Sequence, residues 1–438
     1  MIRYGDMLTL DIIETNMLGN GVAKADDMVV FCHGAVEGDR VMALVTEVKK
    51  NYAEADCVKV VAPSPHRQSA ACPYAAECGG CVFDGVTYEH ECTVKAKGIS
   101  SALRREGIRI VTPALFATDI SGYRNKAVFR FGDDKKCGFT AAGSNDFVRV
   151  EKCAICDERI NEVKLEVENL LAGNENIAPD ELTYLYIRYM KESDEAFVAV
   201  GYAGDESLVS FANELSAALP FVKCIARGSE KSPEARSERF ELLAGEWTVS
   251  ARVAGIDMDI SPSSFFQVNT RGANILCDTV CRLAGLKEGE RAADLYCGAG
   301  LFGLALAKSQ PDSEVYGIEL NDDSVRSANR NAAKNRLENA FFLQGDSSEL
   351  KSKAAIDSLD VAVVDPPRTG LSKKTIAEII DLSPERIVYV SCNPSTLARD
   401  IKLLSDSYSI KEIVGIDMFP RTKHCESVVK LIRSDMNS

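Results

Sequence analysis

Cys392 ends a strand-like run over residues 386–392 and is followed at once by Asn393 and Pro394. A thiol at the end of a strand is a candidate nucleophile, because its thiolate can form a covalent intermediate that splits one hard step into two easier ones. Three other blocks could share a site with it. Asp294-Leu295-Tyr296-Cys297-Gly298-Ala299-Gly300 lies between a strand-like and a helix-like run. Val363-Val364-Asp365-Pro366-Pro367-Arg368 puts a carboxylate at another strand end, and Glu426, in His424-Cys425-Glu426-Ser427, precedes the last strand-like run. In open parallel sheets ligands gather at the C-terminal ends of the strands, where these residues would meet.

The glycine loop reads as a cofactor cradle. Gly298 and Gly300 allow a sharp turn and a close approach of backbone to ligand. Glu319 ends the next strand, 25 positions after Asp294, where an acid can accept hydrogen bonds from a ribose diol. The pattern is D-x-x-x-G-x-G and not G-x-G-x-x-G, which favours S-adenosylmethionine over a dinucleotide. Asp346, at the end of a third strand, is placed to face an adenine, and Tyr296 to pack on the cofactor. A methyl donor beside a lone thiol suggests methylation at C5 of a pyrimidine. C5 of uracil is a poor nucleophile until a thiolate adds to C6; a base must then remove the C5 proton. Glu426 is the candidate base, and Asp365 is placed to orient the base or the thiol. Cys425 lacks the strand-end setting and reads as incidental.

Fifteen cysteines, odd in number and unevenly spaced, point to reducing cytosol and to metal or catalytic roles, not disulfides. Cys72-x5-Cys78-Gly79-Gly80-Cys81 is a compact ligand loop, with Cys153 and Cys156 downstream. Four thiolates suit a structural zinc or an iron–sulfur cluster, and the spacing leaves both open. No C-x3-C-x2-C motif is present, so a structural or RNA-contacting role is expected over radical chemistry.

A chain of 438 residues implies two to four domains. No apolar run approaches the roughly 20 residues of a membrane span, and the first residues lack the pattern of a secretory signal. The net charge of −14 argues against non-specific coating of nucleic acid. Residues 95–130, however, carry eight Lys or Arg, Lys95 first, against two carboxylates, which predicts one basic face. Five short strands with glycine punctuation over residues 4–61 predict a small β-barrel, closed by a linker at Pro63 and Pro65. Residues 94–262 mix alternating strands with a helix at 158–171, an α+β pattern on an antiparallel sheet. From 263 onward strand-like runs at 291–296, 314–320, 340–345, 360–365 and 386–392 alternate with helices such as 322–336 and 372–381. This is a doubly wound, Rossmann-like α/β pattern, with a terminal antiparallel pair at 409–419 and 427–433. The expected domains are 1–62, 63–262 and 263–438, with 94–122 packing on the third.

These blocks together resemble the RNA uracil-C5 methyltransferases, in their iron–sulfur ribosomal RNA branch. The carriers are Gly122-Tyr123-Arg124-Asn125-Lys126, Ser264-Phe265-Phe266-Gln267-Val268-Asn269, the glycine loop, Asp365-Pro366-Pro367-Arg368, the Cys392 block and Asp417-Met418-Phe419-Pro420. The resemblance implies a TRAM-type RNA-binding barrel over 1–61. It makes Cys392 the nucleophile and Glu426 the base. It makes Gln267, Tyr296, Glu319 and Asp365 contacts to cofactor or base, with Asp346, Gly298 and Gly300 completing the cofactor site. It implies a [4Fe-4S] cluster on Cys72, Cys78, Cys81 and Cys153. Leu301 and residues 82–85 depart from the family pattern, and Cys156 competes with Cys153 as fourth ligand. The expected substrate is a flipped-out uridine in 23S ribosomal RNA, methylated by a cytoplasmic monomer. Transfer RNA, cytosine C5 and a non-catalytic RNA-binding role are the alternatives.

Overall fold

The computed structural model describes residues 1–204, 207–229, 239–262 and 264–436. Residue 263, the expected start of the third domain, lies outside them. The first 62 residues form six strands, one more than expected: Met7–Asp11, Glu14–Thr15, Gly21–Ala25, Met28–His33, Arg40–Val48 and Tyr52–Ala62. Their inward residues, among them Leu10, Val30, Val41 and Ala53, make a separate small core. Buried Asp39 ties this unit to the linker at residues 63–67. Its carboxylate accepts the Ser64 N–H at 2.8 Å and the Arg67 Nε–H at 2.8 Å.

A seven-stranded sheet is built from Phe147–Arg149, Cys137–Thr140, Lys126–Phe131, Leu182–Met190, Glu195–Tyr202, Val222–Gly228 and Phe240–Gly245, in that spatial order. It departs from the expected antiparallel sheet at one place. Glu195–Tyr202 and Val222–Gly228 pair in parallel, because the helix Val209–Ala218 crosses over between them. Helices Glu158–Ala172 and Val209–Ala218 cover one face. The other face shares a continuous apolar core with the hairpin at 249–260 and the C-terminal sheet.

That sheet has eight strands, in the order Ala340–Gln344, Glu314–Glu319, Arg291–Leu295, Val361–Val364, Arg386–Ser391, Glu426–Arg433, Tyr408–Ile416 and Ala114–Phe116. The first five are parallel and doubly wound, as their sequence pattern predicts. Central strands such as Val361–Val364 are apolar at every position because helices bury both faces. The last strand inserts antiparallel between Arg386–Ser391 and Tyr408–Ile416. It therefore runs backwards and starts at the edge where the parallel strands end. Chain order reverses between Arg291–Leu295 and Val361–Val364, which opens a crevice there. Residues 88–116 belong to this body. The helix Tyr88–Arg105 packs its Ile99 and Leu103 into the core under the sheet, and Ala114–Phe116 extends the sheet edge.

Candidate active site

Strand polarity alone brings Cys392 and Glu426 together. Ser391 is in register with Ser427, so the residue after one strand and the first residue of the other are neighbours. The loop after Cys392 is locked by Asn393. Its Oδ1 caps the helix Pro394–Leu404 by accepting the Ser395 N–H at 3.1 Å, and its Nδ2 donates to the Arg368 carbonyl at 3.0 Å. This fixes the Cys392 loop to the Asp365–Arg368 loop.

One cavity of about 590 Å³ runs across the crevice, lined by Gln267, Tyr296, Gly298, Glu319, Asp346, Asp365, Cys392 and Glu426. Gly298 (φ +53°) has open space where a Cβ would sit, and its N–H donates to Glu319 Oε2 at 3.2 Å. Tyr296 adopts a left-handed φ of +67° and its hydroxyl meets Thr375 Oγ1 at 3.2 Å. Two other expected contacts also have structural roles. Gly300 (φ +92°) does not line the cavity; a Cβ there would come within 2.9 Å of Phe342, so the glycine serves close packing. Asp346 lines the cavity, but its Oδ1 is engaged by the Ser348 N–H at 2.9 Å and hydroxyl at 2.6 Å.

A second cavity, of about 630 Å³, meets the first at Cys392 and Arg368. It extends past Asn393, Lys423 and Arg105 to Asn16, Leu18 and Phe31 of the N-terminal strands. The thiol thus sits where a groove leading to the barrel joins the crevice. The basic stretch supplies Arg105 to this groove. Lys95, its expected first member, is not on any face: it is buried and donates to Glu91 at 2.7 Å and Asp417 at 2.8 Å.

Burial sets the resting charges. It pushes the Cys392 thiol up to about 11; Glu426 adds to this and Arg368 opposes it. Burial holds Glu426 well above the carboxylate range, Asp365 adding and Arg368 opposing. Its Oε2 has no hydrogen-bond partner among the described residues. Asp365, half-buried in the cavity wall, is raised to about 7 by loss of solvation. Burial, and then Arg368, lower His424 to about 4, and its neutral Nε2 lies 3.2 Å from Arg368 Nη2. Arg368, His424, Phe265 and Phe419 also line the cavity. Each lies inside one of the sequence blocks that carry the resemblance or the chemistry, but no spacing assigned it a role.

Cys72, Cys78, Cys81 and Cys153 line one cavity of about 190 Å³, otherwise bounded largely by apolar side chains such as Ala75, Ile120, Phe139 and Val150. Cys156 is packed in the central core. Among the described residues no three or more His, Cys, Asp or Glu close around a single metal ion. Four thiols at one cavity are donors of the kind that soft metals take.

The sheet order, the crevice and the strand-end carboxylates define a Rossmann-like methyltransferase domain behind a small β unit. Residues 87–434 match the family described as tRNA (uracil-5-)-methyltransferase, and residues 5–58 match the TRAM domain. The chain belongs to that family of RNA methyltransferases. It is 33% identical to a protein of Caldanaerobacter subterraneus subsp. tengcongensis described as an uncharacterized RNA methyltransferase, over 98% of this chain and 99% of the relative. It is 31% identical to one from Synechocystis, over 98% and 96%. The crystal structure of Pyrococcus abyssi tRNA (uracil-54, C5)-methyltransferase with S-adenosyl-L-homocysteine superposes with a TM-score of 0.79 at 28% identity. The match covers 97% of this chain and 99% of that one.

Proposed function

We propose that the protein methylates C5 of uridine in RNA, using S-adenosylmethionine and a covalent bond between Cys392 and C6 of the base. The observation that carries this is the single cavity bounded at one side by Gln267, Tyr296, Gly298 and Glu319 and at the other by Cys392 and Glu426. The relative solved with S-adenosyl-L-homocysteine supports the cofactor.

The bound cofactor would supply an electrophilic methyl on sulfonium. Glu319 and the Gly298 backbone would hold its ribose end, and Gln267 and Asp365 would border the reacting centre. Cys392 releases its proton to solvent and its sulfur bonds to C6, which moves the ring electrons to C5 and the C4 carbonyl oxygen. C5 takes the methyl as the carbon–sulfonium bond breaks. Glu426 removes the C5 proton, the C5–C6 double bond re-forms, and the Cys392 thiolate leaves. Glu426 must be ionised for this, so substrate entry has to overcome its raised affinity for a proton. Arg368 is the cation placed to assist both groups.

Expected from this reading, Glu426→Gln accumulates RNA bound covalently to Cys392, seen as a denaturation-resistant band, while Cys392→Ala retains RNA binding without turnover. A Glu426→Gln protein that yields no adduct, or a Cys392→Ala protein that still methylates, overturns it; full function without Cys392 would leave a binding role. A substrate in 23S ribosomal RNA is the first reading; the family description and the Pyrococcus relative favour transfer RNA as the second. Mapping 5-methyluridine in RNA from a deletion strain separates the two. Cys72, Cys78, Cys81 and Cys153 would hold a [4Fe-4S] cluster whose contribution is to fasten the 72–81 loop to residue 153. Anaerobic purification should give brown protein with about four iron atoms per chain; a colourless zinc protein would refute the cluster.

A further inference from the structure

The loop between strands Tyr408–Ile416 and Glu426–Arg433 carries two cavity residues, Phe419 and His424, and leads directly into a third, Glu426. Its first five carbonyls are each held from a distant part of the chain. Asp417 O accepts the Thr118 hydroxyl at 2.7 Å and Met418 O the Asn269 Nδ2–H at 3.1 Å. Phe419 O accepts Lys95 Nζ–H at 3.2 Å, Pro420 O the Tyr123 hydroxyl at 2.9 Å, and Arg421 O the Phe83 N–H at 3.0 Å. Four of these five donors lie between residues 83 and 123, just beyond the Cys72–Cys81 loop.

Arg421 is the joint. It is buried and holds φ at +71°, a region a residue with a side chain occupies only when its surroundings enforce it. Its backbone N–H donates to Glu91 at 2.7 Å. Its guanidinium donates to the Val86 carbonyl at 2.7 Å, and to Phe83 O and Glu91 Oε2 at 3.4 Å. It also borders the cysteine-lined cavity. Lys95 closes the network between Glu91 and Asp417, so two buried cations balance two buried carboxylates. On the cysteine side, Asp84, between the two Arg421-bound carbonyls, accepts the Cys72 N–H at 2.8 Å. Hydrogen bonds joined by short stretches of backbone therefore link the cysteine loop through Arg421 to the loop that leads into Glu426.

We propose that Arg421 is a positioning residue that makes the placement of Glu426 depend on the cysteine loop. The proposal rests on Glu426 being the base of the proposed reaction. Perturbing the joint should impair the step that needs Glu426 more than RNA capture or sulfur addition. Of the residues that line the groove beside Cys392, only Lys423 and His424 lie on this loop, whereas a base displaced by about 1 Å loses on the order of 100-fold in rate.

The test compares wild type with Arg421→Met and with Arg421→Lys, which keeps the charge and loses the forked contact. It adds Cys72→Ser, which perturbs the far end. In all three variants kcat is expected to fall about 10- to 100-fold, with KM for RNA within about threefold and covalent RNA adduct accumulating during turnover. Hydrogen exchange at amides 417–426 should speed up in the same three proteins without RNA or methyl donor. If Arg421→Met does not accumulate as folded protein, Arg421→Lys and Cys72→Ser decide. Wild-type exchange in the loop, or equal losses at every step with no adduct, overturns the coupling. The exchange arm is independent of the chemistry, so failure of Glu426→Gln to trap RNA would count against the proposed reaction and not against the joint.

Discussion

Cys392 and Glu426 face the same difficulty. In the proposed reaction each must be ionised, and burial raises the proton affinity of both. Among the described residues lining the shared cavity, Arg368 is the sole Lys or Arg, and it lowers the proton affinity of both groups. His424 beside it stays neutral, so it leaves the guanidinium charge unshared. Replacing Arg368 with Gln removes the opposing charge, so both groups hold their protons to higher pH. The rate, which rises with pH as the thiolate forms, should then have its acidic limb displaced upward by about one pH unit. Adduct formation with RNA measured from pH 6 to 10 checks this; a limb that stays in place would show that Arg368 acts only by shape. Arg368→Lys, which keeps charge but not the planar fork, should recover part of the shift.

At the level of elements, the two loop glycines separate the cofactor cradle from its scaffold. An Ala at Gly298 puts a methyl into open space at the cavity wall, and one at Gly300 drives it against Phe342 and Ala328. Both positions have positive φ, so both substitutions are strained. Gly300→Ala should therefore cost about 1–3 kcal/mol of stability by overpacking. Gly298→Ala should weaken binding of the methyl donor with a smaller loss of melting temperature. Calorimetry of both variants, with and without S-adenosylhomocysteine, checks the contrast. The sequence distinguished neither role, since both glycines satisfy the same loop pattern. It did disclose the parallel strands, because strand-like runs such as 360–365 and 386–392 alternate with helix-like segments, and such crossovers join parallel neighbours. It could not disclose that the last strand inserts next to Arg386–Ser391, since spatial order is decided by packing and not by local pattern. Lys95 fails for a related reason. Glu91 and Lys95 are four apart on a helix and look like a solvent-exposed pair. What buries them is Asp417, 322 positions away in the chain.

For the molecule as a whole, an acidic protein must still hold a polyanion. The sequence alone assigned that task to a basic segment, but burial removes Lys95 from it, and of the segment's basic residues only Arg105 lines the groove beside Cys392. The groove's cations are Arg105, Arg368 and Lys423, drawn from three separate parts of the chain and faced by Glu14 of the N-terminal strands. Three phosphate contacts on single-stranded RNA would release about two counterions, a slope of roughly −2 in log K against log salt. Charge would thus contribute little, and most of the affinity has to come from shape and base contacts along the groove, where Phe31 and Leu18 offer apolar surface to unstacked bases. Titrating RNA binding between about 50 and 300 mM salt should return that shallow slope, and Arg105→Gln should reduce it by about 0.7. Phe31→Ala should leave the slope untouched and weaken binding equally at every salt concentration. A steep slope near −6 would mean that the RNA is held mainly by cations elsewhere on the surface, and the path from the barrel to Cys392 would then not be its principal track.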